Sequence, residues 1–307
     1  MKQIDQAFYP GWVRKAISFT IDDGNIAMDE KFLSYVKPAG IKGTFNLCAP
    51  WHLSPEEYRA MYAGYDVANH CNYHPFPFTA ERNAEIKAEL FDPAVADRNY
   101  YYPTKTEGLY RNFTWEWKYI ASDERYLALA KECTQELNGI FGDGKVKDFV
   151  WPYGEQPNAA VMQGLIDMGF RSIRKTGDVR DQTGFSLPKN RMHWSYNAHH
   201  KTLLEIADLY EAYPDNGELK LFCFGVHSID FERDKNWCDL EAFCKRFGNR
   251  SDQYWYAGMS DIFDYEDAVK ALEITDHALI NHSGVDLYVK IDGEKVVVPA
   301  RTSYSIA

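Results

Sequence analysis

Strand-like apolar runs alternate with amphipathic helical stretches along most of this 307-residue chain. The first run covers residues 16–21, and later runs cover residues 43–48, 146–151 and 219–226. A helical period of apolar residues fills the stretches between them, as in residues 122–138. Because strict alternation of strand and helix is typical of parallel sheets, the chain is predicted to form an α/β fold around a parallel sheet, open or closed.

The apolar runs end in side chains that can bind metals or transfer protons. Asp22 and Asp23 close the first run, and His227 closes the last of those long runs. Between them, His70 and His74 follow a shorter strand-like segment. In β/α barrels the catalytic groups come from the carboxyl ends of several strands, because the loops there converge on one mouth. The series therefore predicts a mononuclear metal site in a barrel mouth and indicates a metal-dependent hydrolase.

Asp23, His70 and His74 are the predicted metal ligands. Two histidines four residues apart fall on the same side of a helical turn, and Pro75 would end that turn at once. One carboxylate and two imidazoles leave coordination positions open, as catalytic zinc, cobalt or iron sites require. The predicted cofactor is one divalent metal ion, with zinc as the first choice and cobalt, nickel or iron as alternatives.

Composition excludes several classes of partner. The formal net charge is −11 and no basic cluster offsets it, so nucleic acid is excluded. No segment approaches 18 consecutive apolar residues, and no signal-type apolar core follows the first residue. These features predict a cytoplasmic protein without a membrane partner, or a secreted one if a signal peptide has been removed. Six cysteines without a C-x2-C pair predict free thiols. The sequence leaves the oligomeric state open.

The chain is predicted to divide near residue 275. Residues 1–275 would form the β/α barrel, with an aromatic insertion at about residues 92–120 that fits no regular period. Residues 276–307 contain short β-like runs, and Asp292-Gly293 is typical of a hairpin turn. This last part is predicted to be a small antiparallel β tail packed on the barrel.

The motifs together resemble those of the polysaccharide deacetylase family, the carbohydrate esterases that include chitooligosaccharide and peptidoglycan deacetylases. The matching segments follow the family's order and span most of residues 16–230: Ser18–Gly24, Asn69–Pro75, Trp151–Gly154 and Phe224–Ser228. The resemblance implies a distorted, incomplete (β/α) barrel. It also implies hydrolysis of N- or O-linked acetyl groups on an acetylated carbohydrate, the expected substrate.

The resemblance implies a role for each site residue. The Asp-His-His triad would hold the metal, and Asp22 would be the general base on the metal-activated water. His227 would be the general acid that protonates the leaving amine or alcohol, and the backbone N–H of Tyr153 would help to bind the oxyanion. Trp151, Trp194 and the ring of Tyr153 are expected to stack on sugar rings near the mouth.

Three departures from the family pattern affect the expected mechanism. Cys71 stands where the family has Ser or Thr, and it is an alternative soft ligand. Val150 replaces an arginine; Arg174 is predicted to supply a relocated guanidinium that orients the base, with a surface arginine as the alternative. The Asp-x-x-Asp-Trp segment is absent, and Asp178 and Asp181 are only loose substitutes.

Two other functions stay open at this stage. One is a hydrolase of small cyclic or ureido amides, since relatives of this fold use similar barrels without sugar substrates. The other is a catalytically inactive carbohydrate-binding protein on a deacetylase scaffold, which the three departures favour. Asp230 and Glu232, just beyond His227, could contact substrate or cap a loop, and the sequence does not decide between these roles.

Overall fold

The computed structural model describes residues 2–48, 52–75, 101–103, 117–119, 123–154, 159–176 and 184–306. The strands in this part of the chain are β1 (Ile4–Phe8), β2 (Lys15–Asp23), β3 (Thr44–Leu47), β4 (Asp66–Asn69), β5 (Tyr101–Pro103), β6 (Trp117–Tyr119), β7 (Asp148–Val150), β8 (Ser172–Arg174), β9 (Lys220–His227), β10 (Tyr254–Tyr256), β11 (Glu273–Ile274), β12 (Ala278–Asn281), β13 (Leu287–Ile291), β14 (Glu294–Val298) and β15 (Thr302–Ser305). The helices are α1 (Ile26–Val36), α2 (Pro55–Met61), α3 (Asp123–Phe141), α4 (Ala159–Asp167), α5 (Leu203–Ala212), α6 (Ser228–Arg233), α7 (Trp237–Phe247) and α8 (Met259–Lys270).

The main sheet is a curled, incomplete parallel barrel with β2 at its centre. One edge of β2 pairs with β9 along residues 15–22, and the other edge pairs with β10 at residues 15–17 and with β3 at residues 20–23. The order then continues from β3 through β4 and β7 to β8, with every pair parallel. The predicted distorted (β/α) barrel is confirmed.

Isolated bridges, instead of a regular strand, connect β8 to β9 in the described part of the chain. Trp194 bridges to Arg174 of β8, and Ala198 bridges to Phe224 of β9. The barrel is therefore irregular on the side where this connection runs, and the parallel order still brings the carboxyl ends of β2, β4 and β9 to one mouth.

Alternate side chains of β2 face two different environments. Phe19, with its neighbours of the same parity, belongs to a buried apolar cluster and packs edge-on against Phe32 of α1 at 5.0 Å. Thr20 and Asp22 lie on the opposite face, where the side-chain amide of Asn46 donates hydrogen bonds to both at 2.6 Å. The period of two thus sends apolar rings to the helices and polar groups to the barrel interior.

Local sequence explains how the chain leaves β2 and enters α2. Gly24 has φ +70°, and a Cβ there would lie 2.9 Å from Leu47, so glycine fits this turn into α1. Ser54 accepts a hydrogen bond from Glu57 N at 3.3 Å, while Glu57 accepts one from Ser54 N at 2.8 Å. This reciprocal capping box, with Pro55 at the first helical position, defines the start of α2.

The C-terminal strands form small antiparallel sheets. β13 and β14 form a hairpin whose turn residues, Asp292 and Gly293, have φ values of +49° and +87°, as the predicted hairpin turn requires. β1 pairs with β13, and β12 pairs with β11 and β15. The division of the chain near residue 275 stays a prediction.

Within the predicted insertion, residues 101–103 and 117–119 pair antiparallel, and the other residues of the insertion lie outside the described part of the chain. Among the described residues, no helix has the length and apolar character needed to cross a membrane.

Candidate metal and catalytic site

Asp23, His70 and His74 meet at the mouth of the barrel. The Nε2 atoms of His70 and His74 each lie 3.4 Å from Asp23 Oδ1, and the three candidate ligand atoms all lie within 4.8 Å of one another. Asp23 ends β2 with φ +77°, a left-handed conformation that aspartate tolerates better than most residues, whereas Asp22 is still in the pairing ladder of the strand. The two adjacent carboxylates therefore point to different places.

The three candidate ligand atoms are buried, and no hydrogen bond reaches them from the part of the chain that the structure describes. Buried polar atoms without partners are rare in proteins and cost about 1–3 kcal/mol each. The Nδ1 atom of His70 faces the carbonyl oxygen of Val150 at 3.0 Å, so the proton belongs on Nδ1 and the Nε2 lone pair faces the triad. These residues fit a divalent metal.

The protonation states of the triad also fit a metal. Burial lowers the pKa of His74 to about 3, even though the Asp23 carboxylate acts to raise it. Burial alone would raise the pKa of Asp23, but the neighbouring His227, His74 and His70 side chains hold it well below its usual range. A neutral imidazole beside an ionised carboxylate is the donor set that metal ligation needs.

The turn that carries the two histidines is not helical, and this prediction was wrong. Cys71, Tyr73 and His74 have φ values of +61°, +62° and +45°, and His74 N donates to the carbonyl of Cys71 at 3.2 Å. The side chain of Asn69 accepts a hydrogen bond from Cys71 N at 2.7 Å, which begins a turn instead of a helix.

The sulfur of Cys71 does not face the candidate metal ligands. Cys71 is fully buried, and its Sγ lies 3.8 Å from the carbonyl oxygen of Tyr126. The alternative of Cys71 as a soft ligand is therefore corrected, because the thiol is turned toward α3 and is not in the cluster of metal-type ligands.

Arg174 contacts the carboxylate of Asp22 inside the barrel. One of its guanidinium nitrogens donates to Asp22 Oδ1, and Asn46 donates to the same oxygen at 2.6 Å. Arg174 is only 1% exposed, so the alternative of a surface arginine is wrong. Its register partner on β7 is Val150, the position where the family has its arginine. The predicted relocation of the guanidinium to Arg174 would therefore place it on the strand adjacent to position 150.

The electrostatic surroundings of Asp22 keep its carboxylate ionised. Burial alone would raise its pKa, but Arg174, His70 and His227 together lower it below the usual value. A buried carboxylate with a low pKa is available to accept a proton at neutral pH.

His227 lies beside Asp22 in the register of the sheet and faces Asp23. Its Nε2 is 3.7 Å from Asp23 Oδ2, and its Nδ1 is 2.9 Å from Asp230 Oδ2. Burial would lower the pKa of His227, but the carboxylates of Asp23 and Asp230 raise it to about 10. These two carboxylates therefore favour the protonated form of His227.

Asp230 is a site residue to which the sequence analysis assigned no role. His227 is the N-cap residue of α6 and Asp230 is its third residue, and the Asp230 carboxylate also accepts from the His227 backbone N–H at 3.2 Å. An acidic residue three positions after an N-cap is a capping-box signal that could have indicated this contact. Asp178 and Asp181, the loose substitutes, lie outside the described residues.

Comparison with known protein families agrees with the resemblance found in the sequence. Residues 13–96 match the sequence model of the polysaccharide deacetylase family. The resemblance to that family is confirmed. No curated protein matches the sequence.

Three solved structures illustrate the similarity to other proteins. A protein from Mycobacterium smegmatis, provisionally described as a polysaccharide deacetylase, superposes with a TM-score of 0.51 at 15% identity, covering 88% of this chain and 96% of that one. A family 4 carbohydrate esterase from Streptomyces lividans in complex with acetate has a TM-score of 0.45 at 15% identity, covering 80% and 92%. A peptidoglycan deacetylase from Bacillus subtilis has a TM-score of 0.43 at 14% identity, covering 84% and 94%. The first of these shows a shared fold.

Tyr153 occupies the position of the tyrosine in the deacetylase Pro-Tyr motif. Its backbone is left-handed, with φ +59° and ψ 4°, and its ring centroid is 4.4 Å from that of His74. The structure thus brings Tyr153 to the metal triad. The oxyanion role of its N–H group and the sugar contact of its ring stay predictions.

Trp151 and Trp194 do not line the mouth as predicted. Trp151 is 1% exposed and packs against Phe149 and Tyr126, with ring centroids 5.1 and 5.8 Å away. Trp194 is 5% exposed and packs edge-on against Phe263 at 5.8 Å. The prediction that they stack on sugar is corrected, because neither indole leaves a face open to a ligand.

Proposed function

We propose that this chain is a metal-dependent deacetylase that removes N- or O-linked acetyl groups from a carbohydrate. One observation carries the proposal: the buried ligand atoms of Asp23, His70 and His74 cluster within 4.8 Å, no hydrogen bond reaches them from the described residues, and Asp22 and His227 lie beside them at the ends of β2 and β9. The similarity to polysaccharide deacetylases supports an acetylated carbohydrate as the substrate.

Asp23 and the Nε2 atoms of His70 and His74 would hold one divalent ion, with zinc as the first choice. When bound, such an ion polarises a carbonyl and lowers the pKa of a coordinated water to about 7. The hydrogen bond from His70 to the Val150 carbonyl fixes which ring nitrogen is available for the ion.

Asp22 would be the general base. Its Oδ1 is held by Arg174 and Asn46, which orients the carboxylate and leaves Oδ2 for the proton of the attacking water. As the new C–O bond forms at the acetyl carbon, that proton passes to Asp22. The two donors on Oδ1 keep the carboxylate from rotating away from this geometry.

His227 would be the general acid. Asp230 holds its Nδ1 side, so Nε2 faces the mouth, close to Asp23. The Nε2 proton goes to the leaving nitrogen or oxygen as its bond to the acetyl carbon breaks, and acetate is released. Asp230 orients the imidazole in the place of the family's Asp-x-x-Asp-Trp segment.

The Asp22→Asn variant tests this assignment. We expect acetate release from N-acetylated chito-oligosaccharides or O-acetylated xylan to fall by about 10²–10⁴-fold, because the base is lost, while metal content stays at that of the wild type. Asp252→Asn, a substitution of an exposed carboxylate on another loop, is the matched control and should keep full activity.

Other outcomes separate the alternatives. An Asp22→Asn variant with full activity would show that the assigned base is wrong. A wild-type chain that cleaves small cyclic amides but no acetylated sugar would favour the amide hydrolase. A chain that binds glycan without metal and releases no acetate would favour the carbohydrate-binding protein.

A further inference from the structure

The turn at residues 70–74 stores backbone strain at the candidate metal centre. Three of its residues, Cys71, Tyr73 and His74, have left-handed backbones although none is glycine. Each such residue costs about 1–3 kcal/mol and persists only where its surroundings enforce it. The relative placement of the two imidazoles therefore depends on whatever holds this turn.

The side chain of Asn69 joins the turn to α3. Asn69 is fully buried, and its Nδ2 donates to the carbonyl oxygen of Ala130 at 2.6 Å and to Thr134 Oγ1 at 2.8 Å. Its Oδ1 accepts from Cys71 N at 2.7 Å. One carboxamide thus connects the end of β4, the first left-handed residue of the turn and the middle of α3.

A second contact ties the same turn to the same helix. Asn72 is 2% exposed and donates from Nδ2 to Glu136 Oε2 at 3.0 Å, two residues beyond Thr134 on α3. The thiol of Cys71 makes a long contact with the Tyr126 carbonyl at 3.8 Å, and a thiol is a weak donor. Among the side chains of the turn and of Asn69 that the structure describes, the asparagines make the short hydrogen bonds to α3.

We propose that Asn69 is the positioning residue of the metal centre: by fixing the turn to α3, it sets the separation of the His70 and His74 Nε2 atoms. The inference rests on the proposed function, since it assumes that these nitrogens bind a metal. It predicts that metal affinity depends on a side chain that does not itself touch the metal.

The Asn69→Ala variant tests the inference by metal affinity. We expect the dissociation constants for Zn²⁺ and Co²⁺ to rise by about 10–100-fold, as for other residues that orient metal ligands, and the visible spectrum of the Co²⁺ form to change. Isothermal titration and absorption spectroscopy on folded protein provide both readouts.

Asn281→Ala is a matched control. Asn281 is 1% exposed, its Nδ2 donates to the carbonyls of Val285, Val298 and Pro299, and its Oδ1 accepts from Ser283 N at 3.0 Å. It holds a turn in the C-terminal sheets just as Asn69 holds one at the mouth. We expect this variant to lose stability but to keep wild-type affinity and the wild-type Co²⁺ spectrum.

Two milder variants apply if Asn69→Ala does not fold. Asn69→Asp keeps the acceptor for Cys71 N but loses both donations to α3, and Thr134→Val removes one acceptor on α3. The inference predicts weaker metal binding for Asn69→Asp than for Thr134→Val.

The inference is overturned if folded Asn69 variants bind both ions as tightly as wild type, with the same Co²⁺ spectrum. A wild-type chain that binds neither ion would contradict the proposed function, and this inference would fall with it.

Discussion

The buried pair of Asp22 and Arg174 shows how one side chain can replace another from an adjacent strand. Val150 and Arg174 are register partners, so a guanidinium at either position reaches the same end of the barrel. Arg174 could be predicted from the sequence because it follows a strand-like segment. Asp230 carries a local signal as well, its position three residues after His227, but this signal indicates the contact only if α6 begins after His227, as it does in the structure.

The Arg174→Met variant tests the energetic coupling of this pair. We expect a loss of about 3–5 kcal/mol in the free energy of unfolding, because the Asp22 carboxylate stays buried without its cation. The double variant Asp22→Asn/Arg174→Met should recover a large part of this loss. Urea denaturation of the four proteins gives the coupling free energy. Additive losses in the two single variants would contradict a direct interaction.

At the scale of elements, the apolar runs predicted the strands well, but the histidine spacing did not predict the conformation of the turn at residues 70–74. The end of β9 at His227 and the capping box of α2 follow from local pattern. The 70–74 turn does not, because a spacing of four residues fits a helical turn and a left-handed turn alike. The choice between them depends on contacts of Asn69 with α3, about 60 residues away in the chain.

The junction of β4 with α8 should make stability depend on pH. Asp66 of β4 accepts a hydrogen bond from Ser260 N at 2.8 Å, in the first turn of α8, and a Cβ on Gly258 would lie only 2.0 Å from its carboxylate. Burial, with the carboxylates of Asp261 and Asp148, raises the pKa of Asp66 to about 7, although the hydrogen bonds from the helix act to lower it.

The sign of this dependence follows from the raised pKa. The folded state binds the Asp66 proton more tightly than the unfolded state, so its contribution to stability is complete below pH 4 and is lost as the pH rises to about 7. Relative to wild type, Asp66→Asn should therefore gain about 2–4 kcal/mol of stability between pH 4 and pH 8. Urea denaturation at both pH values measures this difference. An equal effect of the substitution at both pH values would contradict it.

At the scale of the molecule, two apolar clusters include residues of the central strands. One cluster contains Phe19 and the helices around it, and the other contains Ala16, Leu221 and the C-terminal strands. The hairpin of β13 and β14 could be predicted from Asp292-Gly293, but its pairing with β1 could not. That pairing joins residues 4–8 to residues 287–291, and no local pattern encodes so distant a contact.

The central claim concerns one place in this architecture, the end of β2 and the turn after β4. Anomalous X-ray scattering at the zinc edge, from crystals of the zinc-loaded chain, tests it directly. The account predicts a single strong peak about 2.0–2.2 Å from an oxygen of Asp23 and from the Nε2 atoms of His70 and His74. A zinc ion bound only by other residues, with no peak at this triad, would contradict it.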